Sequence, residues 1–160
     1  MRLTRFTDYA LRVLLYLAER PGRHCPISEI AAAHGISANH LAKVVHGLGK
    51  AGYVAARRGR SGGLRLARPA GEIRVGAVVA RMEADFDLVD CPGCRIAAGC
   101  GLRGALGEAL AAFVAVLDRY SLDDLVGRAP GPLALFGLPG PQGGGRALTP
   151  ARALLDPQPA

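Results

Sequence analysis

The sequence predicts a mostly α-helical chain with a small β-hairpin wing, that is, a winged helix-turn-helix followed by a long dimerisation helix. Three observations predict it. "ISEIAAAHGISANHLAKVVHGLGKAGYV" reads as helix, turn, helix, with Gly35 at the sharp turn. "YVAAR" and "LRLAR" read as two short strands around the Gly/Arg loop "RGRSGG". From Leu102 onward, Leu106, Leu110, Phe113, Leu117 and Tyr120 form a heptad-like seam.

The elements follow in order. Leu3, Phe6, Ala10, Val13, Leu14 and Leu17 recur at helical spacing, which predicts a first helix from about Thr4 to Glu19. "RPGRHCP" (20–26) is a loop. Ser28 is expected to cap a short helix running through Ala33. Ser37 caps the next helix, whose core face is Leu41, Val44, Val45 and Leu48, and Gly52 closes it. After the hairpin, "EIRVGAVVARME" (72–83) reads as a further helix, and "SLDDLVGR" (121–128) as a short closing one. The stretch from Pro130 to Ala160 is rich in Pro and Gly and reads as a disordered tail. The expected organisation is a DNA-binding winged helix over 1–83, a cysteine loop over 84–101, a dimerisation helix with its closing helix over 102–129, and the tail over 130–160.

Charge separates along the chain. The net charge is +7, but residues 1–81 hold 14 Lys/Arg against 4 Asp/Glu, a net of +10. A basic first half is the electrostatic footprint of a polyanion-binding module. The apolar run "LRVLLYLA" is short and contains Arg12, so it reads neither as a secretory signal nor as a span of about 18 apolar residues. No membrane partner, a cytoplasmic location and reduced thiols are therefore expected.

In a helix-turn-helix the first residues of the second helix meet base edges in the major groove. Here these are Ser37, Asn39, His40 and Lys43. Asn reads adenine through two hydrogen bonds, and Ser and Lys suit phosphate or guanine. The wing loop offers Arg58, Arg60, Ser61, Gly62 and Gly63, with glycines that let backbone approach a duplex and arginines that suit a narrow minor groove. Arg12 on the first helix is a candidate phosphate contact. Winged helices also dock proteins, but the Arg-Gly wing beside the basic half favours double-stranded DNA.

Three of the four cysteines fall in "CPGCRIAAGC", with Cys91, Cys94 and Cys100 spaced C-x2-C-x5-C. Three thiolates suit a soft metal or an iron–sulfur cluster. A fourth ligand must come from elsewhere, and Cys25, His24, Asp90 and Asp8 are candidates. Asp8 reads equally as an acidic residue favoured near a helix start. A reversible thiol switch is the rival reading of the triplet. His24, His34, His40 and His46 form no base–nucleophile pattern, His34 and His46 read as surface residues, and no catalytic site or enzyme is expected.

Several segments carry a family resemblance: "MRLTRFTDYALRVLLYLA", the helix-turn-helix stretch above, "RRGRSGGLRLARPAGEIRVGAVV", "CRIAAGCGLRGAL" and "FVAVLDRYSLDDLV". Through them the chain, over about residues 1–128, resembles the NsrR-type nitric-oxide-sensing repressors of the wider iron–sulfur winged-helix transcriptional regulator family. The resemblance implies a homodimer on promoter DNA, with a cluster held by Cys91, Cys94 and Cys100, and Asp8 from the partner subunit as fourth ligand. It implies that nitric oxide attacks the cluster and DNA is released. A [4Fe–4S] cluster is favoured over [2Fe–2S], because the branch that holds the latter uses a histidine where this chain has Arg103. The two-residue gap between Cys91 and Cys94 is shorter than the family's usual one. Two other readings remain open: an iron-status or redox-responsive regulator of the same family, and an iron–sulfur or zinc protein that does not bind DNA.

Overall fold

The computed structural model describes residues 2–126 apart from 60, 61, 85, 87, 92, 97 and 98. The expected tail lies outside the described residues, as do Arg60 and Ser61. The elements are α1 (Arg5–Ala18), α2 (Ile27–His34), α3 (Ala38–Lys50), β1 (Val54–Arg57), β2 (Gly63–Leu66), α4 (Val75–Met82), α5 (Leu102–Asp118) and α6 (Leu122–Val126). Among the described residues no helix is long and apolar enough to cross a membrane.

Local chemistry sets most boundaries. Thr4 caps α1, its hydroxyl accepting from the Thr7 N–H. Ser28 is not a cap: α2 begins one residue earlier, after Pro26, whose fixed φ suits a helix entry without side-chain capping. Gly35 closes α2 in the left-handed region at φ 62. Ser37 caps α3 as expected, its hydroxyl accepting from the His40 N–H. At the far end the Tyr53 N–H reaches the Leu48 carbonyl and the Gly52 N–H reaches that of Gly49, both at 3.0 Å. With Gly52 at φ 73 this is a Schellman stop.

The segment 72–83 is not one helix. A single 3-10 turn covers Ala70–Glu72, Ile73 is extended, and α4 starts only at Val75. Ile73 and Val75 instead exchange backbone hydrogen bonds with the chain before α6: the Leu122 N–H donates to the Ile73 carbonyl and the Val75 N–H to that of Tyr120. This ties the end of the chain to the winged helix. The closing helix is described from Leu122 to Val126; the rest of the expected segment, 127 and 128, lies outside the described residues.

The core gathers Ala10, Val13, Leu14 and Leu17 of α1, Ile30 of α2, Leu41, Val44 and Leu48 of α3, Val54, Leu64, and Val78 and Met82 of α4. Val45 is only half-buried, and Phe6 of the expected first stripe is exposed. Cys25 is fully buried in this core. It bridges to Leu64 of β2 in both directions, at 2.9 and 2.8 Å. The hairpin, with Val54 opposite Leu66 and Arg57 opposite Gly63, therefore has a third backbone neighbour.

A polar cluster joins α1 to α2. The Tyr16 hydroxyl donates to Glu29 at 2.6 Å, Arg23 makes two 2.9 Å bonds to the same carboxylate, and the Arg20 guanidinium lies 3.6 Å from the Tyr16 ring centre. Burial and the bond to Glu29 push the Tyr16 hydroxyl up to about 12. His34, expected on the surface, instead packs edge-on against Tyr16 and is half-buried. Desolvation, with Arg12 and Arg20 adding, lowers its pKa. The unfolded chain then binds that proton first, so stability falls as pH drops below the usual histidine value.

Two predictions follow from this packing. A Cβ at Gly63 would come within 2.7 Å of the Cys25 backbone. Gly63→Ala should therefore lower the free energy of unfolding by about 1–3 kcal/mol, read from urea midpoints, whereas Gly71→Ala, which meets nothing, should leave it nearly unchanged. Replacing His34 with Gln should flatten the loss of thermal stability below about pH 6.5; an unaltered pH profile would contradict the assignment.

Candidate nucleic-acid interface and cysteine loop

The residues expected to read bases lie at the start of α3. Ser37, Asn39, His40 and Lys43 are all exposed, on the first two turns of α3. No acidic residue lies in that first turn. The partial positive charge of the helix N-terminus therefore stays available to a polyanion.

Arg58 is exposed at the wing. The wing glycines have internal work that the sequence reading did not give them. A Cβ at Gly62 would fall 2.3 Å from the Arg57 carbonyl oxygen, and Gly62 donates back to the Gly59 carbonyl at 2.9 Å. Gly63 faces Cys25 rather than the loop tip. Both glycines let the wing fold against itself.

Arg12 is not a free phosphate ligand in this structure. It pairs twice with Asp8 one turn earlier, Nε to Oδ1 and Nη2 to Oδ2, both at 3.0 Å. Asp8 lies in the first turn of α1, where the helix dipole favours an acid. The pair is roughly half-exposed, and such a helical pair contributes only about 0.3–0.5 kcal/mol. The Asp8 carboxylate is thus held loosely and is readily exchanged to another partner.

All four cysteines are free thiols. Cys94 is exposed, and Cys91 and Cys100 are half-exposed. A turn closed by the Cys94 N–H on the Cys91 carbonyl at 3.1 Å draws the first two together. Among the described residues, no three His, Cys, Asp or Glu side chains converge on one point. The donor set fits a soft metal or iron–sulfur cluster in chemistry: three unpaired thiols on an exposed loop, whose Gly93, Gly99 and Gly101 have open space around them. The loop does not assemble them in advance, as is usual where binding and ordering are coupled. Asp8 is not gathered with the thiols within one chain. Cys25 is excluded as a ligand by its place in the core, where burial, with Glu29 adding, pushes its thiol pKa up. Asp90 is exposed and His24 half-exposed.

The sequence reading missed the group that joins the cysteine loop to the winged helix. Glu83 ends α4 immediately before that loop and is nearly buried, at 9 % exposure. Its carboxylate accepts from the Thr4 N–H at 3.2 and 3.3 Å and from the Thr4 hydroxyl at 3.2 Å. A buried carboxylate on the start of α1 satisfies orphan donors and complements the helix dipole. Nothing in local sequence relates residues 79 positions apart.

The long helix α5 buries no residue of its own. Its expected seam, Leu106, Leu110, Phe113, Leu117 and Tyr120, is only half-buried. Leu102 and Val116 are 53 % and 45 % exposed. Its last turn rests on α4: the Ala77 N–H donates to Asp118 Oδ1 at 3.0 Å, and a Cβ at Gly76 would be 2.6 Å from the Val114 carbonyl oxygen.

The family profile described as Rrf2, iron-dependent transcriptional regulator, matches residues 3–128. The chain belongs to the Rrf2 family. It is a transcriptional regulator with the mostly helical, two-strand-winged architecture of that family. Among Rrf2 relatives, it is 50% identical over 132 residues to the HTH-type transcriptional regulator NsrR of Bacillus subtilis (strain 168), covering 79% of this chain and 90% of that protein. The structure of CymR, the global cysteine regulator of B. subtilis, superposes with a TM-score of 0.63 at 25% identity, covering 78% of this chain and 95% of that one. T. potens IscR shares the fold with a TM-score of 0.65 at 24% identity, over 79% and 86% of the two chains.

Thiol reactivity checks the placement of the cysteines. In metal-free protein without oxygen, iodoacetamide should label Cys94 first, while Cys25 should stay unlabelled until the protein is unfolded. Peptide mass spectrometry reads both, and equal labelling of Cys25 would contradict its burial.

Proposed function

We propose that the chain is a homodimeric, DNA-binding transcriptional repressor of the NsrR type that releases its promoter in response to nitric oxide. The observation that carries this reading is the attachment of a three-thiol loop, through Glu83, to the start of α1, which packs against the recognition helix α3. The 50% identity to NsrR of B. subtilis and the resemblance in the sequence support the choice of signal.

In this reading Ser37, Asn39, His40 and Lys43 meet base edges and phosphates in the major groove. Arg58, Arg60, Ser61, Gly62 and Gly63 form the wing that meets the minor groove and backbone. The half-exposed seam of α5 faces a second copy of the chain, which sets the spacing of two recognition helices. Cys91, Cys94 and Cys100 hold an iron–sulfur cluster, [4Fe–4S] in preference to [2Fe–2S], and Asp8 of the partner subunit supplies the fourth ligand. When bound, the cluster supplies iron that reacts with nitric oxide.

The rest belongs to this chain's side chains. Asp8, if it held the cluster of the other subunit, would leave Arg12 free to meet a phosphate. Without a cluster to hold, Asp8 would pair with Arg12 as it does here, the tie between subunits would be absent, and the two recognition helices would no longer match their half-sites. This is a two-state element biased by a local chemical event.

The family's printed description, iron-dependent transcriptional regulator, favours a second reading in which iron supply is the signal. One titration separates the two. With operator DNA selected in vitro and oxygen excluded, nitric oxide should weaken binding at least tenfold while mild chelation should not; the reverse pattern would establish the iron-status reading. Cys94→Ala should lose the cluster, and Asp8→Ala should retain a more labile one, both read by native mass spectrometry. Arg60→Ala should lower the slope of log affinity against log salt by about one.

A further inference from the structure

The first turn of α1 crosses the recognition helix. Phe6 rests on Gly47, where a Cβ would come within 2.9 Å of the Phe6 ring. Towards the N-terminus of α3 the two helices leave an open groove of about 320 Å³, lined by Arg5, Phe6, Tyr9, His40, Lys43 and Val44.

The lining has two characters. Arg5 and Lys43 bring two cations, with His40 and Tyr9 adding neutral or cationic hydrogen-bond donors. Phe6, 37 % exposed, and Val44 give an apolar floor. Among the described residues, no carboxylate lines the groove. Among the described residues, ion pairs engage Arg12, Arg20 and Arg23, whereas Arg5 and Lys43 form none. Two cations facing one groove without counter-charge repel each other, and an entering anion relieves that repulsion. The positive end of α3, at Ser37–His40, adds to the same field.

We infer that this groove receives one deoxyribose-phosphate unit of the DNA backbone, beside the base-reading turn of α3. This rests on the DNA-binding reading above and adds a contact to it. The phosphate lies between Arg5 and Lys43, and the Tyr9 hydroxyl is a further donor. The sugar carbons cover Phe6 and Val44. A site combining cations with an apolar wall suits a sugar-phosphate better than a base edge, whose recognition requires a paired donor and acceptor. Arg5 thereby becomes a DNA contact carried by α1 rather than by the recognition helix or the wing. It fixes the position of the duplex without reading its sequence.

The test uses the full-length protein and a short duplex of mixed sequence, with affinity measured across a salt series. Arg5 is exposed and outside the core, so Arg5→Ala should fold as wild type, which its unchanged melting temperature would confirm. The variant should bind several-fold more weakly, with a log–log salt slope smaller by about one. Arg5→Lys should restore the slope. The same loss should appear on operator DNA selected in vitro. An Arg5→Ala protein with unchanged affinity and slope, beside a wild type that binds steeply, would overturn the groove assignment and leave the DNA-binding reading standing. A loss confined to operator DNA would overturn the phosphate assignment in favour of a base contact. A wild type with no salt-dependent binding would overturn both.

Discussion

The carboxylate of Glu83, buried against Thr4, is the contact on which the geometry of the functional half depends. A charge this enclosed is costly to bury unless its acceptors are satisfied. Here the Thr4 N–H and hydroxyl both donate to it. The same threonine caps α1 through Thr7, so one short network fixes where α1 begins, where α4 ends and where the cysteine loop departs. The residues that follow on α1 are the ones a sensor would use: Arg5 and Phe6 beside the recognition helix, and Asp8 with Arg12 a turn later. A shift at the base of the cysteine loop must either carry the start of α1 with it or break these bonds.

A second constraint sits on the opposite side of the winged helix. Cys25 lends its backbone to β2, and this requires a residue without a side chain at position 63. The hairpin is thereby anchored to the loop between α1 and α2 and is not a free ribbon. The wing turn is tightened further by Gly62. Arg58 is thus carried beside a backbone held on both strands.

Much of the fold was legible in the sequence because it was written in local patterns. The Ser37 cap, the Gly35 turn and the Gly52 stop each depend on residues within one turn of each other. The alternation around the Gly/Arg loop gave the hairpin. The errors share a cause. Ile73 and Arg74 have helix-compatible side chains, but their backbone pairs with Ser121 and Leu122 at the start of α6, a tertiary demand that overrides periodicity. His34 read as polar and therefore external, yet it is folded under Tyr16 by the crossing of α1 and α2. The cysteine triplet was visible by spacing alone, and so was the place of Ser37, Asn39, His40 and Lys43 at the start of α3. The Asp8–Arg12 pair was within reach, since the two lie one helical turn apart. Glu83 was not, because its partner is distant in the chain and its own neighbourhood reads as an ordinary helix end.

The close crossing of α4 and α5 at Gly76 bears on how the cysteine loop evolves. Because these helices pack together and Glu83 pins the end of α4, residues 84–101 connect two helices that rest on each other. For such a connection the entropy of closure changes only slowly with length, by roughly 0.6 kcal/mol for each doubling. Insertions or deletions between Cys91 and Cys94 therefore cost the scaffold little, while they change strongly which thiols can reach a common point. The reach of the three thiols can thus change while the winged helix stays as it is.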